Sequence, residues 1–90
     1  MAGASLKYRR AFDAIHDILI HEWDPIGVGD VPQAQDEYDS YIPTIYRLLS
    51  EGADEHKIAQ HLEKLETVSM GLRSGGDHNR TIARRLREAV

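Results

Sequence analysis

Between residues 23 and 30 the chain reads Trp23-Asp24-Pro25-Ile26-Gly27-Val28-Gly29-Asp30, and this stretch limits what the rest can become. Pro25 disfavours helical geometry at the residue before it, so a helix arriving from the N-terminal side ends at about Trp23. Gly27 and Gly29 then free the backbone to turn. Apolar residues recur at helical spacing on both sides, so two helices have to dock around whatever shape this loop takes. Trp23, the single tryptophan, closes the first run and is placed to pin the turn to the core. Trp23, Pro25 and Gly27 are the expected structural anchors of the loop.

Leu6 to Trp23 is predicted to be the first helix, with Ser5 as N-cap. Tyr8, Phe12, Ile15, Leu19 and Trp23, joined by Ala11 and Ile18, form its apolar stripe, opposite Arg9, Arg10, Asp13, His16 and Asp17. Asp30 could cap a short turn containing Pro32. The second helix is predicted from about Gln35 to Ser50, with Tyr38, Tyr41, Ile42, Ile45, Leu48 and Leu49 on one side. Pro43 either kinks it or divides it into two helices meeting at Ile42. The apolar phase carries across Pro43 without a slip, which favours the kink. Gly52 suits a left-handed helix stop and Asp54 the next cap. The third helix is predicted to reach about Met70, with Ile58, Leu62, Leu65 and Val68 inward, before Gly71 stops it and Leu72 folds back.

Short links of this kind make antiparallel neighbours. The expected fold is all-α: an antiparallel three-helix core with an additional short C-terminal helix. Residues 1–5 form an N-terminal tail, 6–72 the helical core domain, and 73–90 a Gly-containing linker and a basic C-terminal helix. That last helix carries Ile82 and Leu86 on one face and Arg80, Arg84 and Arg87 on another; at this length it is marginal unless docked, so it either packs on the first three helices or is mobile.

Ninety residues, 41% of them hydrophobic, suffice for one core and not two. With no cysteine, disulfides, thiolate metal sites and cysteine nucleophiles are excluded. The first residues lack a secretory apolar segment, and Ala2 argues against myristoylation. No apolar run nears the roughly 18 residues of a membrane span. These features predict a soluble, cytoplasmic protein with no membrane association.

The net charge of -4 conceals an asymmetry. From Glu22 to Glu55 nine carboxylates face Arg47 as the single base, whereas from Arg73 onward five arginines face Asp77 and Glu88. The two regions could neutralise each other in the fold, or one of them could serve a partner.

Several constellations can be weighed for chemistry. Asp13, His16, Asp17 and His21 share a helical face as metal ligands would, but the His-Glu-x-x-His spacing is absent, and a solvated polar face explains them as well. Asp36, Glu37 and Asp39 could supply a carboxylate pair, yet acids at a helix start already favour the helix dipole. No phosphate loop, dinucleotide fingerprint or nucleophile elbow is present. The C-terminal arginines lack interleaved aromatic residues and sit in an acidic protein, which argues against nucleic acid. No cofactor and no catalytic or metal-binding residue is therefore assigned.

Asp24-Pro25-Ile26-Gly27-Val28, Asp36-Glu37-Tyr38-Asp39-x-Tyr41, Ile45-Tyr46-Arg47-Leu48-Leu49 with Gly52, and Met70-Gly71-Leu72 together resemble a group of small uncharacterised bacterial proteins with this order of blocks. The resemblance runs from about Phe12 to Leu72. It implies a small helical fold in the bacterial cytoplasm, brings no activity with it, and leaves out the basic tail.

Two function classes follow. The first is a non-catalytic protein-interaction module, antitoxin- or immunity-like, in which Asp24, Asp30, Asp36, Glu37, Asp39 and Tyr41 contact a basic protein partner; self-association into a homo-oligomer is compatible with it. The second is a small enzyme or metal-binding protein using Asp36, Glu37, Asp39 or the His16 and His21 region. The missing nucleophile and the poor metal-ligand spacing favour the first.

Overall fold

The computed structural model describes residues 2–90, with side chains from Leu6 onward. Helix α1 (Ala2–Ile18) runs on into a π turn, Leu19–Trp23. Two 3-10 turns follow, Pro32–Ala34 and Asp39–Tyr41, then α2 (Ile42–Ser50) and α3 (Glu55–Lys64). Helix α3 also widens at its end into a π turn, Leu65–Ser69, and α4 (Asp77–Ala89) closes the chain. The fold is all-helical, and the described residues contain no strand. Among the described residues no helix is long and apolar enough to cross a membrane.

Helix α1 begins at Ala2, so Ser5 lies inside it and not at its cap. At the other end Leu19, Ile20 and Trp23 are all buried, because the wider π turn brings adjacent positions to the core. Tyr8, first on the predicted stripe, is 37% exposed. It rests near Phe12 and edge-on to Tyr46, with ring centroids 6.1 and 5.0 Å away.

The expected helix from Gln35 to Ser50 is broken and not kinked. Pro43 stands in the first turn of α2, where the missing N–H would have had no partner in any case. Tyr38, Ile42 and Ile45 are nonetheless all fully buried. The apolar phase that favours a kink therefore survives a break, carried by the 3-10 turn at Asp39–Tyr41. Asp30 does not cap the earlier turn either: Val31 holds that position, with no side-chain hydrogen bond.

Helix α2 ends as its sequence predicts. Gly52 adopts φ +80°, the Ala53 amide donates to the Leu48 carbonyl at 3.0 Å and the Gly52 amide to that of Leu49 at 3.1 Å, the double closure of a glycine stop. Asp54 then caps α3, its carboxylate accepting the Lys57 amide at 2.8 Å. Ile58, Leu62 and Leu65 face inward as expected, but Val68 does not. It is 73% exposed, while Glu66 is 3% exposed. The π turn is the cause: with more residues per turn after Leu65, position 68 has not come round to the core, and position 66 stays near it. Leu72, expected to fold back, is 39% exposed.

Helix α4 is a member of the core and not an appendage to three other helices. Ile82, Ala83 and Leu86 join Ile15, Leu19, Trp23, Ile45, Ile58 and Leu62 in one cluster. Arg85 pairs with Glu22 at 3.0 Å and Arg84 with Glu55 at 2.8 Å, so part of the charge asymmetry is resolved within the fold. The Arg85 hydrogen bond holds the Glu22 carboxyl below the usual carboxylate range.

A buried polar chain fixes α4 in place. The Trp23 indole N–H donates to the Asn79 side-chain carbonyl at 2.9 Å, and the Asn79 amide donates to the Glu66 carboxylate, which also accepts the Gly75 amide at 2.8 Å. Gly75 is required by crowding: a Cβ there would lie 2.9 Å from the Asn79 oxygen and 3.1 Å from Glu66. Replacing Asn79 by Ala leaves a buried indole N–H and a buried carboxylate short of partners. Asn79→Ala is expected to lower stability by about 2–4 kcal/mol, and the melting temperature by about 10 °C or more. Val68→Ala should stay within about 0.5 kcal/mol of wild type. Urea denaturation followed by circular dichroism checks both, and a Val68→Ala loss as large as that of Asn79→Ala would mean that Val68 packs inward.

Candidate functional site

The loop after α1 is built around one side chain. Asp24 takes the left-handed conformation (φ 34°, ψ 58°), the sole non-glycine residue to do so among the described residues, and its amide donates back to the Leu19 carbonyl at 2.9 Å. That geometry turns its carboxylate onto its own loop. It accepts the Val28 amide at 2.8 Å, the Gly29 amide at 2.9 Å and the Tyr38 hydroxyl at 2.7 Å. The Tyr38 oxygen in turn accepts the Ile26 amide at 3.1 Å, and its ring lies 5.3 Å from that of Trp23.

Each loop residue has a reason to be what it is. A Cβ on Gly29 would fall 2.7 Å from the Ile20 carbonyl oxygen, so only glycine lets the loop lie this close to the π turn that follows α1. Gly27, at φ +79° with open space around it, is there for its backbone angle. Further along, the Gln35 side-chain amide donates to the Gly29 and Val31 carbonyls, both at 3.0 Å. His16 on α1 donates to Asp39 at 2.6 Å.

The Asp24 carboxyl feels opposing influences. Partial burial works against its charge, but the hydrogen bonds from Tyr38 and from the loop amides outweigh burial and hold it below its ordinary 3.8. Tyr38 is pushed well above its ordinary range, first by burial and then by its bond to Asp24.

The six residues expected to meet a partner therefore divide. Asp24 is occupied inside the loop, Asp39 is paired with His16, and Tyr41 is half-buried against the core. Asp30, Asp36 and Glu37 are exposed, and none of them has an ion-pair partner among the described residues. Nor do Asp36 and Glu37 serve a helix dipole, since α2 starts only at Ile42. Beside them on the same loop stand Ile26, 46% exposed, and Val31, 41% exposed. The loop thus carries exposed acids and two exposed apolar side chains on a backbone held by a run of tight turns: Val31 to Val28, Ala34 to Val31, Glu37 to Ala34 and Asp39 to Asp36.

The metal-like constellation of Asp13, His16, Asp17 and His21 is not assembled among the described residues. His16 turns to Asp39, His21 is exposed, and no three His, Asp or Glu side chains gather at metal-binding distance among the described residues. His61 is held below its ordinary value by burial, then by Lys64 and Arg47, and its Nε2 is buried without a partner. A recess of about 270 Å³ lies where α3 meets the start of α4, bordered by His56, Glu63, Asn79 and Arg80. Neither the acids from Asp36 to Asp39 nor His16 and His21 line it. The exposed Ile26 and Val31 carry no sequence signal of their own, because an apolar residue in a glycine-rich loop reads equally as a core contact. No family model, curated protein or solved structure matches the chain.

A carboxyl group whose folded value is depressed adds stability above its unfolded value and loses it as pH falls through the folded one. The gap in melting temperature between wild type and Asp24→Asn is therefore expected to be full above about pH 5 and to close progressively below pH 4. A pH series of thermal melts checks this, and a gap that does not change with pH would mean that Asp24 contributes no charge-dependent stability. Gly29→Ala is expected to cost about 1–3 kcal/mol through the clash with Ile20, measured by the same melts.

Proposed function

We propose that this protein is a non-catalytic protein-interaction module whose loop from Ile26 to Glu37 meets a basic surface on a partner protein. The observation that carries the reading is the division of charge. Two arginines of α4, Arg84 and Arg85, are spent on Glu55 and Glu22, while Asp30, Asp36 and Glu37 stay in solvent without an ion-pair partner among the described residues. Ile26 and Val31, exposed on the same loop, supply apolar contact. Protein interfaces combine an apolar centre with a polar rim in this way.

The loop is also ordered in advance. Its turns, the Asp24 carboxylate and the Gln35 amide fix the backbone, so a partner meets a shaped surface and little ordering cost is left to binding. An antitoxin- or immunity-like inhibitor that covers a basic partner has these needs. On the resemblance described above, its setting is the bacterial cytoplasm.

The test begins with capture of the partner from a bacterial lysate on the immobilised protein, followed by kinetics with the purified pair. Steered association should exceed the unsteered range of about 10⁵–10⁶ M⁻¹s⁻¹ at low salt. Asp36→Asn/Glu37→Gln should slow it about tenfold, with the difference disappearing as salt screens the charges. Ile26→Ser/Val31→Ser should leave the association rate alone and speed dissociation. Association insensitive to salt and to the acid-to-amide changes would overturn the reading.

A further inference from the structure

The acidic loop has a counterpart on the same molecule. Near the start of α1, Lys7, Arg10 and Ala11 line a groove of about 180 Å³ together with Tyr46 of α2 and Ala89 and Val90 at the end of α4. Its walls are apolar and its rim is basic. Lys7 and Arg10 are exposed, one turn apart on α1, and neither has an ion-pair partner among the described residues. Leu6, 49% exposed, Tyr8, 37%, and Val90, 47%, add further uncovered apolar surface around the same end.

The two surfaces do not pair within one chain: none of Asp30, Asp36 and Glu37 forms an ion pair with Lys7 or Arg10 among the described residues. Each has what the other lacks: acids beside exposed Ile26 and Val31 on the loop, bases around an apolar hollow by the start of α1. We propose that the partner of the loop is a second copy of this chain, with Ile26 or Val31 of one copy seated in the Lys7–Arg10–Tyr46 groove of another and Asp30, Asp36 and Glu37 facing its Lys7 and Arg10. This rests on the loop being an interaction surface and names what it binds. The charge complementarity sets the direction of the contact, since loop against loop or groove against groove would juxtapose like charges.

A contact of one loop and one groove is small, and small interfaces are weak. The test is sedimentation velocity of the full chain from about 10 μM to about 1 mM, at about 50 mM and about 500 mM salt, which spans the range over which exposed charges become screened. Wild type is expected to associate with rising concentration, and about tenfold more weakly at the higher salt. Lys7→Gln/Arg10→Gln and Asp36→Asn/Glu37→Gln, which alter only exposed side chains, should each be monomeric alone. Mixed one to one, they should form a complex that neither forms by itself, because the first keeps an intact loop and the second an intact groove.

Wild type that remains monomeric throughout, or a mixture that remains monomeric, overturns the second-copy contact. The separate fate of the loop reading is then decided by the captured partner. Loss of its binding in the acid-to-amide variant but not in the groove variant keeps the loop as an interaction surface while rejecting a second copy as its occupant.

Discussion

Asn79 sits between the ends of the two longest helical runs, and its hydrogen bonds to Trp23 and Glu66 are the constraint on which the rest of the molecule depends. A carboxylate as buried as that of Glu66 is tolerable only with donors in place, and those donors come from Asn79 and the Gly75 amide. Withdrawing α4 would remove both at once. The helix is therefore held by more than the apolar contacts of Ile82, Ala83 and Leu86. Those contacts favour burial without fixing register, whereas the polar chain accepts one register alone. Both π turns serve the same end: one brings Ile20 and Trp23 to the core together, the other brings Glu66 inward where Val68 would have been.

Trp23 carries this constraint into the loop. Its N–H is bonded to Asn79 while its ring lies against Tyr38, whose hydroxyl completes the set of donors around Asp24. One continuous path thus runs from Glu66 through Asn79, Trp23 and Tyr38 to Asp24. The left-handed backbone at Asp24 is unfavourable for any residue with a Cβ, and here three hydrogen bonds to its carboxylate offset that cost. The acidic surface is consequently presented by a backbone fixed to the core at several points, not by a loose connection between helices.

The sequence reveals the parts governed by local rules. The stop at Trp23, the glycine closure at Gly52 and the Asp54 cap each depend on a few neighbouring residues, and each is legible. The break at Tyr41 is harder to read, because a 3-10 turn conserves the apolar phase across Pro43 almost as a kink would. Val68 misleads for a related reason: a π turn has no residue signature, and a count at α-helical spacing continues past it unaware. Asn79 lies in a polar, glycine-rich stretch that reads as linker, and nothing local tells that Glu66 and Trp23 await it. Of the candidate site, the acids were legible as a cluster. Which acids are spent internally was not, since that depends on where His16 and Tyr38 arrive in three dimensions.

The distribution of spent and unspent charge bears on how a second copy could fit. In α4, Arg84 and Arg85 are drawn to Glu55 and Glu22, whereas Lys7 and Arg10, which line the hollow beside Tyr46, have no ion-pair partner among the described residues. Two copies laid antiparallel along α1 could make the loop-to-groove contact twice around a twofold axis, and such a pair is closed. Copies laid in the same direction make it once per junction and leave a loop and a groove unfilled at the ends, so growth continues until a ring closes. A contact this small gains most from being made twice, because the second contact then forms within an existing pair at high effective concentration. The same argument limits a foreign basic partner: with one loop to grip, it has to match the acids and also the spacing of Ile26 and Val31 on a backbone that does not yield.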